Sequence, residues 1–175
     1  MAIKKKTVII VAVIIAFLGI IGVGSGYTVY LRVMAPNVAV QEDVSLYVKP
    51  TFNLDSILVQ TQKLQLFKND GSFEWWANRQ NLGSHLTAGR YVITPGMSNR
   101  EIVNLLMSGR QTPVNVTFNN IRTKADFAGR IGEQLIADSS DFVAYFDSSA
   151  YFSTLGLNKD NFMTIFIPNT YELYW

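Results

Sequence analysis

The chain has 175 residues, no cysteine and a single histidine, His85, which excludes disulfides, thiolate metal sites, a Cys nucleophile and a lipoprotein anchor, and leaves no support for a His-based triad or a multi-His zinc site. The formal net charge of +2 is unevenly placed. Of fifteen Lys/Arg, Lys4, Lys5, Lys6 and Arg32 bracket one apolar run, so eleven face thirteen Asp/Glu elsewhere, and that mildly acidic remainder lacks the basic footprint of a nucleic-acid binder.

The apolar run, Thr7–Leu31, contains no charged residue. As a helix rising ~1.5 Å per residue it reaches roughly 37 Å, enough to cross a ~30 Å hydrocarbon core. Three lysines before it and one arginine after it favour a cytoplasmic N-terminus, residues 1–6, with the rest of the chain on the extracytoplasmic side. A cleavable signal peptide ending at Gly22–Gly26 and a buried core helix are the competing readings. The apolar core Val8–Val23 is slightly long for the first, no A-x-A pattern closes it, and the run is too uniform for the second.

Residues 32–43, with Pro36, two acidic residues and no firm period, read as a stalk. Val44–Val48 alternates, with Val44, Leu46 and Val48 on one face: a half-buried strand. Asn53 suits the cap of a helix burying Leu54, Ile57, Leu58 and Leu64. Asp70-Gly71-Ser72 breaks it and offers a cap to a second helix with Phe73, Trp76 and Ala77 inward. Trp75 and Trp76 do not make a sugar-stacking platform, because neighbouring helical residues point about 100° apart. Asn81–Gly89 reads as a polar loop around a surface His85, and Arg90–Ile93 as a second strand. Pro95-Gly96 turns the chain, Ser98 and Glu101 form a capping box, and the helix that follows buries Ile102, Leu105 and Leu106 before stopping at Gly109. Tyr47–Pro50 with Ile57-Leu58 faintly repeats Tyr91–Pro95 with Ile102-Val103. Two strand–turn–helix copies of this kind can pair their strands.

Pro113–Phe118 alternates again, and Asn119-Asn120 turns. Thr123 with Asp126 caps a helix carrying Phe127, Ala128, Ile131 and Leu135. Ser139/Ser140 and Ser148/Ser149 are candidate caps for two short helices holding Phe142, Val143 and Phe146, then Tyr151, Phe152 and Leu155, with Gly156 as the stop. Phe162–Ile167 reads as a buried strand and Pro168–Glu172 as a polar and aromatic turn, leaving Leu173-Tyr174-Trp175 without packing partners. That ending is expected of a sequence cut inside a domain that begins near Pro113.

Three stretches together resemble the YceG-like family of endolytic murein transglycosylases, in its N-terminal portion. They are Ala88-Gly89-Arg90-Tyr91-Val92 with Gly96–Ile102, Leu105-Leu106 and Ser108-Gly109-Arg110; Val114–Phe118 leading to Arg122-Thr123 and Asp126-Phe127-Ala128; and Phe166-Ile167-Pro168-Asn169-Thr170-Tyr171. The resemblance covers Val44–Trp175. It implies an α+β architecture: a transmembrane helix (7–31), a LysM-like βααβ subdomain (44–112), and the start of a truncated α+β catalytic domain (113–175). It also implies cleavage of nascent peptidoglycan glycan strands between MurNAc and GlcNAc, leaving 1,6-anhydro-MurNAc ends, at the cytoplasmic (inner) membrane. The implied partners are peptidoglycan and penicillin-binding, wall-synthesising proteins; no cofactor or metal is implied.

Two departures remove carboxylates. Asn119-Asn120 stands where many members have Glu-Gly, and Asn169 where the family has the Asp of Pro-Asp-Thr-Tyr. The family's catalytic Glu lies in a later Ala-Ser-Ile-x-x-x-Glu element that does not occur in these residues, so no catalytic residue is assigned here and this chain alone is expected to be inactive. Asn169, Thr170, Tyr171 and Glu172 are the substrate-side candidates. Glu172 is weighed as the acid because it sits beside the family-like turn and among aromatic neighbours, which raise a carboxyl's pKa if they bury it. A non-enzymatic, membrane-tethered peptidoglycan-binding or scaffold protein is the alternative, and a tethered assembly factor the third reading.

Overall fold

A computed structural model describes residues 5–119, 121, 123–136, 138–148, 150–158 and 161–175. The fold mixes helices with two small sheets. In chain order the elements are α1 (Lys5–Met34), β1 (Val44–Val48), α2 (Leu54–Lys63), α3 (Asp70–Arg79), α4 (Leu82–His85), β2 (Gly89–Ile93), α5 (Asn99–Ser108), β3 (Val114–Phe118), α6 (Lys124–Gly132), α7 (Ser139–Ser148), α8 (Ala150–Thr154), a 3-10 turn (Phe162–Ile165) and β4 (Asn169–Leu173). β1 pairs with β2, and β3 with β4. The chain divides into two compact units: residues 1–44, 53–86 and 93–108 make the first, and residues 45–52, 87–92 and 109–175 the second.

α1 holds one stretch, Val13–Met34, long and apolar enough to cross a membrane. From Ile10 to Arg32 its described side chains are exposed, and Val33 is the first buried one. Its polar side chains use the helix's own carbonyls: Ser25 Oγ donates to Ile21 O and Thr28 Oγ1 to Ser25 O, both at 2.8 Å. This satisfies hydroxyls without water.

The stretch read as a stalk is instead part of the first unit. α1 continues to Met34, and Asn37 and Val38 are buried. Isolated bridges join Pro36 to Ser98 and Val38 to Phe67, and Ala39 N–H donates to Leu66 O at 2.8 Å. Single bridges have no period, so hydrophobic patterning cannot register them. The core of this unit includes Ile57, Leu66, Phe73, Ala77, Leu82, Ile102 and Leu106, with Phe67 stacked on Phe73 at 4.3 Å.

Asn53 caps α2 as expected, its side chain accepting from Ser56 N–H at 2.9 Å. The buried face, however, is Ile57 and Thr61, while Leu64 is exposed. The cap of α3 is Asn69, accepting from Ser72 N–H, so Asp70-Gly71-Ser72 is the first turn of the helix rather than a break. The expected loop after Asn81 contains the single turn α4, pinned by buried Leu82. His85 is exposed, as read. In α5, Val103 is buried as well as Ile102 and Leu106, whereas Leu105 is only partly covered.

In the second unit, β3 and β4 are antiparallel in the register Val114↔Leu173, Asn115↔Glu172, Val116↔Tyr171, Thr117↔Thr170 and Phe118↔Asn169. Val116, Phe118, Phe127, Ile131, Phe146 and Phe152 form the core against which Tyr171 and Leu173 pack. Phe127 lies at its centre, with ring centroids 4.3 Å from Phe166, 4.7 Å from Phe118 and 5.7 Å from Phe146. Thr123 caps α6 through Asp126 N–H at 3.1 Å. Leu155 is exposed, and the chain turns at Gly156 with φ +72°. The expected caps Ser148 and Ser149, the turn residue Asn120 and the side chain of Tyr151 lie outside what is described.

The expected strand at Phe162–Ile167 and turn at Pro168–Glu172 are exchanged. The apolar run forms a 3-10 turn, and Asn169–Leu173 is the strand. A short apolar run does not distinguish strand from helical turn. The alternation of Tyr171 and Leu173 with Thr170 and Glu172 carries the period-2 signal instead.

Candidate functional site

Strand parity settles where the four candidate side chains lie. Tyr171 and Leu173 face the core with Val116 and Phe118. Tyr171 packs on Phe118 at 5.4 Å and donates its hydroxyl to Ile167 O at 2.8 Å. Asn169 turns its Oδ1 onto Thr170 N–H at 2.8 Å. Thr170 and Glu172 are exposed, opposite Thr117 and Asn115, and the Thr117 and Thr170 hydroxyls lie 2.9 Å apart. Two of the four candidates therefore share one polar, solvent-facing ladder with Asn115 and Thr117. Asn169 is spent on its own strand, and Tyr171 is turned inward. Glu172 is open to solvent rather than enclosed by aromatics.

β3 ends at Phe118, and Asn119 begins an open cleft of roughly 430 Å³ along one side of α6. Asn119, Asp126, Gly129, Arg130 and Glu133 line it, with Ile121 and Ala125 as its apolar part. Asp126, Gly129/Arg130 and Glu133 recur at helical spacing, which puts them on one face. Arg130 and Glu133 pair at 3.5 Å with both side chains exposed, worth only a few tenths of a kcal/mol. A Cβ added to Gly129 would meet nothing within 4 Å, so the cleft is widened where a larger residue would narrow it. Sequence reading passes over this cleft because Asp126 is explained as a capping residue and no motif singles out Arg130 or Glu133.

The glycine- and serine-containing stretch from residue 88 to 110 is architectural. Gly89 has φ +150°, and a Cβ there would collide with the Gln111 side chain. Gly96 and Gly109 hold φ +85° and +66°. Tyr91 is buried and donates to Thr87 O at 2.8 Å, and burial raises the pKa of its phenol. Arg90 ties β1 to the segment before β3, donating to Ser45 Oγ at 3.1 Å and Pro113 O at 2.8 Å. Ser98 N–H and Ser98 Oγ reach Glu101 Oε2 at 2.8 and 2.7 Å, and these bonds hold the Glu101 carboxyl below its ordinary range. Trp75 and Trp76 are half-buried, their rings tilted by 34°, and Arg79 covers Trp75 at 5.9 Å. They form no flat platform. Among the described residues no three His, Asp or Glu side chains come together as a metal site.

The sequence profile of the YceG-like family matches residues 46–175. No curated protein matches the chain. Among solved structures, a yceG-like protein from Listeria monocytogenes is similar at 18% identity and a TM-score of 0.45, over 77% of this chain and 48% of that one. The chain thus spans about half the length of the solved structure it matches.

Proposed function

Because the chain belongs to the YceG-like family, we propose that the full-length protein is a membrane-anchored endolytic peptidoglycan transglycosylase. The family match over residues 46–175 carries this reading. In this reading α1 is a single-span anchor with its N-terminus in the cytoplasm, a direction favoured by Lys4, Lys5 and Lys6 against Arg32. The segment around the β1–β2 pair and the helices between them is a LysM-like subdomain. The unit built on β3, β4 and α6–α8 belongs to the catalytic domain. The polar ladder of Thr117, Thr170 and Glu172 and the cleft beside α6 are its substrate-side surfaces.

The chemistry needs one carboxylic acid. It protonates the glycosidic oxygen as the C1–O bond of MurNAc breaks. As a carboxylate it then takes the proton of the muramyl 6-hydroxyl, whose oxygen closes on C1. The product is a 1,6-anhydro ring and no water is consumed. One group serving as acid and then base differs from the carboxylate pair of ordinary glycosidases. The resemblance puts this Glu in an Ala-Ser-Ile-x-x-x-Glu element that is not among these 175 residues, so activity is a property of the longer protein. Partners among the penicillin-binding synthases are part of the proposal.

The test is incubation of the folded full-length protein with purified peptidoglycan and mass spectrometry of the soluble products. Anhydro-muropeptides are expected from the full-length protein and none from residues 1–175. Their absence from the full-length protein would leave the tethered binder or scaffold as the working reading.

A further inference from the structure

This inference rests on α1 being a membrane span, as proposed above, and concerns how the first unit meets the bilayer. The uncharged run ends at Leu31, so Arg32 marks the hydrocarbon boundary. The headgroup layer beyond it is roughly 5–8 Å thick on each side, the difference between a ~30 Å core and a ~40–45 Å bilayer. Met34, the last residue of α1, lies about 4–5 Å past Leu31 at ~1.5 Å per residue, still within that layer.

The chain does not leave it on a free linker. Asn37 is buried and fully bonded: its amide donates to Asn69 O at 3.0 Å and to Asn99 Oδ1 at 2.8 Å, and its Oδ1 accepts from Asn69 N–H at 3.0 Å. Asn99, also buried, donates to Ser72 Oγ at 2.9 Å and to Arg32 O at 2.7 Å. That last bond caps a terminal carbonyl of α1 from 67 residues away. It fixes the first turn of α5 against residue 32, and the Asn37 bonds fix the first turn of α3 against residue 37. Both turns are thereby held near headgroup depth.

Three exposed cations stand on these segments: Arg32, Lys68 and Arg100. Lys68 N–H donates to Asn37 O at 2.8 Å, and Arg100 Nη1 reaches Met34 Sδ at 3.8 Å. Of the acids on the same turns, Glu101 is engaged by Ser98. Asp70 is half-buried in the first turn of α3, where the helix dipole favours it.

We infer that the first unit is seated on the membrane: Arg32 near the end of α1, Lys68 just before the cap of α3 and Arg100 in the first turn of α5 form a docking face for anionic phospholipid headgroups, and the Asn37–Asn99 network holds that face down. The charge is complementary, and each exposed cation near such a surface adds favourably to binding.

Because these 175 residues hold no cysteine, single spin labels can be placed in them, any cysteine elsewhere in the protein being replaced by serine. The full-length protein carrying Gly71→Cys (exposed, first turn of α3) or Val23→Cys (mid-α1) is placed in phosphatidylglycerol–phosphatidylethanolamine vesicles. Relaxation is then read against a nickel chelate on the lipid headgroups and one in the water. The label at 71 is expected to respond to the lipid-borne chelate, and to lose that response several-fold in Lys68→Glu with Arg100→Glu. It should lose it likewise in Asn37→Ala with Asn99→Ala, and when phosphatidylcholine replaces both lipids. A label at 71 that sees only the aqueous chelate, while the label at 23 is buried in lipid, overturns the docking face and leaves the span standing. A label at 23 outside the lipid removes both. Should the Asn variants not fold, the surface charge reversals carry the test alone, and an unchanged response in them overturns the proposal.

Discussion

At the scale of single residues, the caps behave as local chemistry dictates. Glu101 accepts two bonds from Ser98, and its carboxyl pKa is lowered, the backbone bond contributing most. A carboxyl with a depressed folded pKa stabilises fully above its unfolded pKa of about 4.5, and that contribution is lost as pH falls through the lower folded value. Glu101→Ala should therefore lower stability at neutral pH, by less than loss of an N-cap residue because the carboxylate is exposed and solvent-screened. In urea titrations the gap between variant and parent should narrow as pH drops below the ordinary carboxyl range; a gap independent of pH would mean the box contributes nothing through charge. Phe127, touching three other aromatic rings, is the opposite case. Phe127→Ala should cost about 3–5 kcal/mol in the second unit, visible as a lower denaturant midpoint. Asn53, Thr123 and the Ser98–Glu101 pair were legible in sequence because a cap and its target lie three residues apart. Asn37 and Asn99 were not, since their partners are 62 and 67 residues away, and no local pattern marks an Asn that is buried.

At the scale of elements, α6 contains two glycines with opposite roles. A Cβ on Gly132 would sit 2.8 Å from Ser139 N, a backbone atom where α7 begins, whereas one on Gly129 would enter open space. Gly132→Ala should push α6 from α7 and destabilise by about 1–3 kcal/mol. Gly129→Ala should stabilise by up to about 1 kcal/mol through helix propensity. Thermal unfolding of the two variants should shift in opposite directions; equal shifts would contradict this placement of α7. The sequence placed α6 correctly because Phe127, Ala128 and Ile131 repeat at helical spacing. It exchanged the 3-10 turn and β4 because Phe162–Ile167 is apolar without a period, while the alternating strand beside it carries polar residues on its open face. The same exchange re-aims the substrate-side candidates: as a turn, Asn169–Glu172 would present all four side chains, whereas as a strand it presents Thr170 and Glu172 together and turns Tyr171 inward.

At the scale of the whole molecule, how firmly α1 is joined to the rest of the first unit is a question of energy. Residues 32–39 look like a spacer in sequence, yet they supply buried Val33 and Val38, the Asn37 bonds and the Arg32 carbonyl that Asn99 caps. Burying a Val side chain is worth about 1.5–3 kcal/mol, and stripping buried Asn99 of all but its Ser72 bond costs about 1–3 kcal/mol. Together these approach the whole ~5–15 kcal/mol stability of a typical domain. A soluble version beginning at Thr28 keeps all of these contacts and should unfold cooperatively. One beginning at Gln41 loses them and should show a markedly lower midpoint or no cooperative transition, in circular dichroism and in amide exchange across α3 and α5. Equal stability of the two would mean that the segment is a spacer after all, and that α1 and the rest of the first unit are coupled only through the chain.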